Sequence, residues 1–278
     1  MPALGVSWMT IGNLAKTHPP TIRAALAEKR GQPEAVLEHI GEGVDVIVGM
    51  FNSEPLTVLD TLEADAGRLS GVRIHQMFPY RKRRYMHGVF PGLRHISWFL
   101  SPANREAFHK NTCDLVPNNF SEALSLMRRT TRCSLVLAAV SPPDRHGYFS
   151  LGTHADYVAA LIGEAPFFVE VNHRMPRTYG ENHVHISQVV GWCEADYPLS
   201  ELPPRPVREA DRKIAGYVAE RIPNGATLQA GIGSIPNEVL GLLSEHKELG
   251  VNSELLADGF VDLIHRHRPS KVPRRTGA

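Results

Sequence analysis

Short apolar runs alternate along this chain with segments whose apolar residues recur at helical spacing. Pro33 to Ile40 reads as helix, Val44 to Gly49 as strand, Pro55 to Ala66 as helix and Val72 to Met77 as strand. The alternation resumes with Phe120 to Arg129 as helix, Ser134 to Val140 as strand, Ala155 to Ile162 as helix and Phe167 to Val171 as strand. Ser134 to Val140 is apolar almost without interruption, as a strand covered on both faces requires. Repeated βα units of this kind predict an α/β fold, an open and largely parallel sheet with flanking helices.

A Pro-rich break from Pro198 to Pro206 ends this block, and Val207 to Arg221 reads as a further helix. The expected organisation is an N-terminal α/β domain over 1–200 and the start of a second α/β unit over 201–264. The stretch 265–278 is polar, basic and broken by prolines, and is expected to be a disordered tail.

Composition removes several function classes. With 278 residues the chain is long enough for one large or two small domains with a substantial core. A formal net charge of +1 makes no case for bulk attraction to nucleic acid, and the five Lys and Arg of the tail belong to no reading module. No stretch reaches the ~20 apolar residues that span a bilayer, and Met1 to Pro20 lacks the basic start and apolar core of a signal peptide. No membrane association and a cytoplasmic location are the resulting expectations. Cys113, Cys133 and Cys193 are odd in number and not closely spaced, so they read as reduced, buried thiols. The pairs His183/His185 and His265/His267 stand at i, i+2, yet no carboxylate and cysteine set completes either, and no metal site is expected.

The segment with chemical content is Leu228 to Glu254. An apolar run ending in Gln229 and Ala230 meets the turn Gly231-Ile232-Gly233-Ser234-Ile235-Pro236, and a helix-like stretch leads on to Gly250-Val251-Asn252-Ser253-Glu254. Two glycines permit positive φ and bring main-chain amides close to a ligand. Ser234 is placed to cap the following helix, and Pro236 suits its first turn. Free amides at such a point favour an oxyanion or phosphate. Pro236 stands where a third dinucleotide-fingerprint glycine would be, so the turn is not that motif. Both Gly231 to Pro236 and Asn252 to Glu254 follow candidate strands at the same end, where ligands of an open α/β sheet bind.

Several further stretches carry a family resemblance. Phe90 to Pro102 (FPGLRHISWFLSP), Val140 to Gly152 (VSPPDRHGYFSLG) and Val169 to Thr178 (VEVNHRMPRT), with Gln229 to Pro236 and Gly250 to Glu254, resemble segments of the acetyl-CoA hydrolase/transferase family. The likeness is to its 4-hydroxybutyrate and acetate CoA-transferase branches, over roughly residues 30 to 265.

The resemblance implies ping-pong transfer of coenzyme A, which is a substrate rather than a resident cofactor, between an acyl-CoA and a small carboxylic acid. The carboxylate of Glu254 attacks the acyl-CoA, giving an acyl-glutamyl anhydride and CoA thiolate. The thiolate returns to the glutamyl carbonyl, releasing the first acid and leaving a glutamyl-CoA thioester. A glutamate needs no base to activate it, and the amides of Gly231, Ile232, Gly233, Ser234 and Ile235, that of Ile232 above all, are the expected oxyanion and CoA donors. Gln229, Asn172, Met175 and Pro176 are expected crevice residues. Arg81-Lys82-Arg83-Arg84 reads as a solvated basic loop, with contact to CoA phosphates as the alternative. Hydrolysis of the acyl-CoA is the alternative reaction, differing by water access. Full-length family members continue into a second α/β domain, whereas this chain stops at Ala278, so a partner-dependent or inactive half-enzyme is the other alternative. A homo-oligomer is implied as well.

Overall fold

A computed structural model describes residues 20–203 and 206–266. Of the tail expected over 265–278, His265 and Arg266 are the last residues of a helix, and His267 to Ala278 lie outside the described residues. The chain forms two compact units, Met1–Ser200 and Glu201–Ala278.

In the first unit, helix α1 (Ile22–Lys29) is followed by β1 (Asp45–Val48), α2 (Leu56–Ala64), β2 (Val72–Met77), β3 (Leu93–Phe99), α3 (Arg105–His109), β4 (Cys113–Leu115), α4 (Phe120–Thr130), β5 (Cys133–Val140), β6 (Tyr148–Ser150), β7 (Phe167–Asn172), β8 (His183–His185) and β9 (Val189–Ala195). Seven strands make one sheet in the order β4-β3-β2-β1-β5-β7-β9, with every neighbouring pair parallel. The fold is therefore α/β with a parallel sheet, as the repeated pattern predicts. The chain builds β2, β3 and β4 to one side of β1, then crosses to start β5 on the other.

The pleat divides the core in two. Val46, Val48, Ile74, Leu135, Leu137 and Phe168 point to one face, where Leu59 and Leu62 of α2 cover them. Ile47, Val136, Ala138, Phe167 and Val169 point to the other, under Ala123 and Met127 of α4 and the antiparallel pair β6–β8. Burying both faces explains the apolar run Leu135 to Val140 of β5 and, Glu170 and Asn172 apart, the apolar residues of β7.

Two expected helices are altered. Pro33 to His39 is a 3-10 helix burying the adjacent residues Val36 and Leu37. Of Ala155 to Ile162, only a turn at Ala159–Leu161 is helical. Tertiary hydrogen bonds prevent the rest. Asp156 accepts the Met50 amide at 3.1 Å, and the Tyr157 hydroxyl donates to the Val48 carbonyl and accepts the Met77 amide at 3.1 Å.

The basic run also departs from a solvated loop. Arg81, Lys82 and Arg84 are exposed, but Arg83 is buried, bonded to Asp60, to Glu54 at 3.4 Å and to the Leu56 carbonyl at 3.3 Å. Among the thiols, Cys113 and Cys193 are buried while Cys133 is half-buried. Burial pushes Cys193 up to about 12 and Cys133 up to about 11, so neither is a nucleophile at neutral pH.

The second unit comprises α5 (Glu209–Ala219), β10 (Thr227–Leu228), α6 (Ser234–Leu242), β11 (Gly250–Val251) and α7 (Asp258–Arg266). Its core is Ala215, Ala219, Val239, Leu240, Leu243, Ala257 and Phe260. No helix among the described residues is long and apolar enough to cross a membrane.

Candidate active site

The turn and the glutamate are brought together inside the second unit. β10 and β11 pair in parallel, with Thr227 opposite Gly250 and Leu228 opposite Val251, so the loops that follow leave from the same end. The Asn252 amide donates to the Leu228 carbonyl at 3.0 Å. Ser253 then fastens one loop to the other: its Oγ accepts the Ala230 amide at 3.3 Å and donates to the Ala230 carbonyl at 3.0 Å. Glu254 and Gly231 are the next residue on each side of that tie.

Glu254 is exposed, and its side chain has no hydrogen bond or ion pair among the described residues. Across from it, Gly231 and Ile232 are exposed, and the amides of Gly231, Ile232 and Gly233 donate to no backbone group among the described residues. Gly233 has φ +151°, a value that side chains disfavour, and precedes the first residue of α6. A Cβ on Gly231 would meet nothing within 4 Å, so its missing side chain leaves open space in front of the turn.

Ser234 does not cap α6. Gly233 occupies the N-cap position and Ser234 is the first helical residue, its hydroxyl donating to Asp211 Oδ2 at 3.2 Å. Pro236 lies in the first turn of the helix. Ile235 follows Ser234 in that turn and packs its side chain against the core of the unit.

Asp211 is a residue that motif reasoning passes over. It accepts the Arg208 amide at 3.1 Å and the guanidinium at 2.9 and 3.2 Å, capping α5, and also takes the Ser234 hydroxyl. The Arg208 side-chain bonds above all hold its carboxyl down at about 2. It ties the start of α6, and with it the glycine turn, to α5. An acid three residues after a helix start, following a Pro-rich break, is the signal that would have found it.

The remaining expected site residues are divided between the two units. Gln229 is exposed at the end of β10. Asn172 is buried in the first unit, donating to the Tyr197 carbonyl at 3.0 Å and accepting the Arg174 amide at 3.0 Å. Met175 is buried with its Sδ against Gly152, and Pro176 is exposed. His183 and His185 bracket Val184 in β8, and no group of three or more His, Cys, Asp or Glu able to hold a metal occurs among the described residues.

No family model matches the chain. Individual proteins do. Over 212 residues the chain is 37% identical to the succinyl-CoA:cyclohexane-1-carboxylate CoA transferase of Geobacter metallireducens, a match covering 76% of this chain and 48% of that protein. The 4-hydroxybutyrate CoA-transferase of Porphyromonas gingivalis superposes with a TM-score of 0.69 at 27% identity, over 86% of this chain and 57% of that one. The chain is a relative of the CoA-transferases. RipA from Yersinia pestis superposes on this CoA-transferase relative with a TM-score of 0.82 at 32% identity, over 89% of this chain and 61% of RipA. The chain spans about half the length of the curated relatives it matches.

Proposed function

We propose that the protein transfers coenzyme A between an acyl-CoA and a small carboxylic acid, with Glu254 as the nucleophile. The observation that supports this reading is the Ser253–Ala230 tie, which joins the loop carrying Glu254 to the loop that opens the glycine turn.

The Glu254 carboxylate attacks the thioester carbonyl, and the oxygen of the tetrahedral intermediate takes hydrogen bonds from the turn, the Ile232 amide foremost. Collapse breaks the C–S bond, releasing CoA thiolate and leaving an acyl-glutamyl anhydride. The thiolate then attacks the glutamyl carbonyl and expels the first acid, conserving the thioester as glutamyl-CoA. An incoming carboxylate reverses both steps and departs as the new acyl-CoA. Acids such as the cyclohexane-1-carboxylate and 4-hydroxybutyrate named for its relatives are the candidate substrates.

The test is incubation with an acyl-CoA, trapping with borohydride or hydroxylamine, and mass spectrometry of the peptide holding Glu254. A modified Glu254 supports the mechanism, and an unmodified one under turnover ends it. Loss of acyl-CoA with no transfer to added acid identifies a hydrolase instead.

A further inference from the structure

Four aromatic side chains gather in the first unit where β1 and β2 end. Phe51 stacks on Phe78 with centroids 5.7 Å apart and planes 6° from parallel, stacks on His154 at 5.6 Å and 11°, and lies 4.8 Å from Tyr80. All four are half-buried, so the cluster keeps part of its surface in solvent. It sits beyond the carboxyl end of β1, the strand on whose two sides the sheet is built in opposite directions. Ligands of open parallel sheets bind at such a switch point.

Three features hold this cluster in shape. Phe51 and Phe78 both have left-handed backbones, φ +52° and +45°, a conformation that bulky residues rarely adopt unless their surroundings impose it. The Tyr157 hydroxyl joins the Val48 carbonyl to the Met77 amide, fixing the two strand ends from which these phenylalanines turn. Asp156 accepts the Met50 amide at 3.1 Å and the Val158 amide at 2.9 Å, so its carboxylate is committed to the loops. Burial holds His154 down at about 4, leaving an uncharged ring at neutral pH. Arg81, following Tyr80, directs its guanidinium to Ser200 Oγ at 3.4 Å.

We infer that Phe51, Phe78, Tyr80 and His154 form a preorganised shelf for the apolar, ring-bearing body of a carboxylic acid or its thioester. Resting on the CoA-transfer reading for the class of ligand, this makes the acid that the shelf binds alicyclic or aromatic, in preference to acetate or a dicarboxylate. A ring laid on ring faces removes apolar area from water on both sides, whereas a second carboxylate there would lose hydration.

Titrating the full chain with cyclohexanecarboxylate, acetate and succinate, by calorimetry or ligand-observed NMR, tests the shelf. Cyclohexanecarboxylate is expected to bind at least ~10-fold tighter than either other acid, a difference of about 1.4 kcal/mol. Phe51→Asn, whose residue tolerates the left-handed backbone, is expected to abolish that preference with an unchanged circular dichroism spectrum. Should that variant not fold, His154→Ala is expected to weaken the preference severalfold. Equal binding of the three acids, or an undiminished preference in the folded variant, overturns the proposal. Trapping at Glu254 in the same preparation separates the two readings. Trapping without a ring preference removes the shelf alone, and a ring preference without trapping supports the shelf and removes the glutamyl mechanism alone.

Discussion

Each unit ends parallel strands in loops, but the two units hold those loops in opposite ways. In the first, buried polar side chains fasten them: Tyr157 joins the ends of β1 and β2, and Glu170 of β7 accepts the Val58 amide at 2.8 Å, capping α2 from another strand. In the second, the loops after β10 and β11 are largely exposed, and the described ties are the half-buried Ser253 and the Ser234–Asp211 bond. A wall that selects a ligand by shape gains from rigidity, because little ordering remains to be done on binding. A nucleophile whose carboxyl passes from free acid to anhydride to thioester gains from a carboxylate bound to nothing. On the proposed readings, the same topology would serve recognition in one place and reaction in the other.

The largest expected effect tests the reactive half. Glu254→Ala should lower CoA transfer by at least ~10³-fold, as expected when a covalent nucleophile is lost. Since Glu254 is exposed and unpaired, the urea midpoint should stay within about 0.5 kcal/mol of the parent. Steady-state transfer and urea unfolding measure both. A large loss of stability would show that Glu254 holds the loop and would erase the contrast.

Next is Gly231→Ala. The added Cβ meets no atom within 4 Å, so stability should change little. If the thioester oxygen approaches this turn, transfer should nevertheless fall by ~10- to 100-fold, reaching at most the lower end of the ~10²- to 10³-fold cost of losing an oxyanion donor. Unchanged kinetics would place the reacting carbonyl elsewhere. Gly152→Ala in the first unit should do the reverse, since its Cβ would lie 2.3 Å from Met175 Sδ with φ at +68°. There the cost is expected in stability, about 1–3 kcal/mol.

The pH dependence sharpens the comparison. Burial, helped by nearby His75, lowers His95 from 6.5 to about 3, so the folded first unit holds this ring neutral. The unfolded chain takes up the proton first as pH falls. Stability from this group is fully present above ~6.5 and is lost toward pH ~3, at up to about 1.4 kcal/mol per pH unit. In the second unit Asp211 is depressed from 3.8 to about 2, so its contribution is present above ~3.8 and fades only below that. Hydrogen exchange between pH 7 and 5 should find amides of β2 and β3 losing protection while those of α5 keep theirs. Equal losses would contradict the assignment of buried histidine to one unit.

What the sequence revealed follows from where its partners lie. β1 and β5 were legible because burial on both faces gives short apolar runs, visible one position at a time, and β2 and β7 stood out by Val72, Ile74 and Met77 and by Phe167, Phe168, Val169 and Val171, although they also bury His75, Gln76, Glu170 and Asn172. β3 was hidden, its apolar run broken by the buried His95 and Ser97, which both bond to Asn104 from a later loop. Residues 155–162 look helical by spacing, yet Asp156 and Tyr157 are engaged with strands about a hundred positions earlier in the chain. At the candidate site, Gly231 and Gly233 stood out because glycine spacing is a local signal, whereas Glu254 entered through the family resemblance of Gly250 to Glu254. Ser253 acts across loops and the buried Arg83 pairs with Glu54 and with the exposed Asp60, and no spacing rule marks either; Asp211 stands at capping spacing, but its bond to Ser234 is not legible from that spacing.

The smallest effect is expected at the tie itself. Ser253→Ala removes one hydroxyl that both accepts from and donates to Ala230. Ser253 and Ala230 are only half-buried, so water can replace much of what is lost, and the change in stability should be about 0.5–1.5 kcal/mol. The effect on chemistry should also be modest, because the Asn252–Leu228 bond and the β10–β11 pairing still hold the loops side by side. Trapping of Glu254 by acyl-CoA should slow by no more than ~10-fold, the equivalent of about 1.4 kcal/mol in the barrier. A loss as deep as that of Glu254→Ala would mean that the glutamate is held as firmly as the strand ends of the first unit, and that the contrast between a fixed wall and a free nucleophile is false.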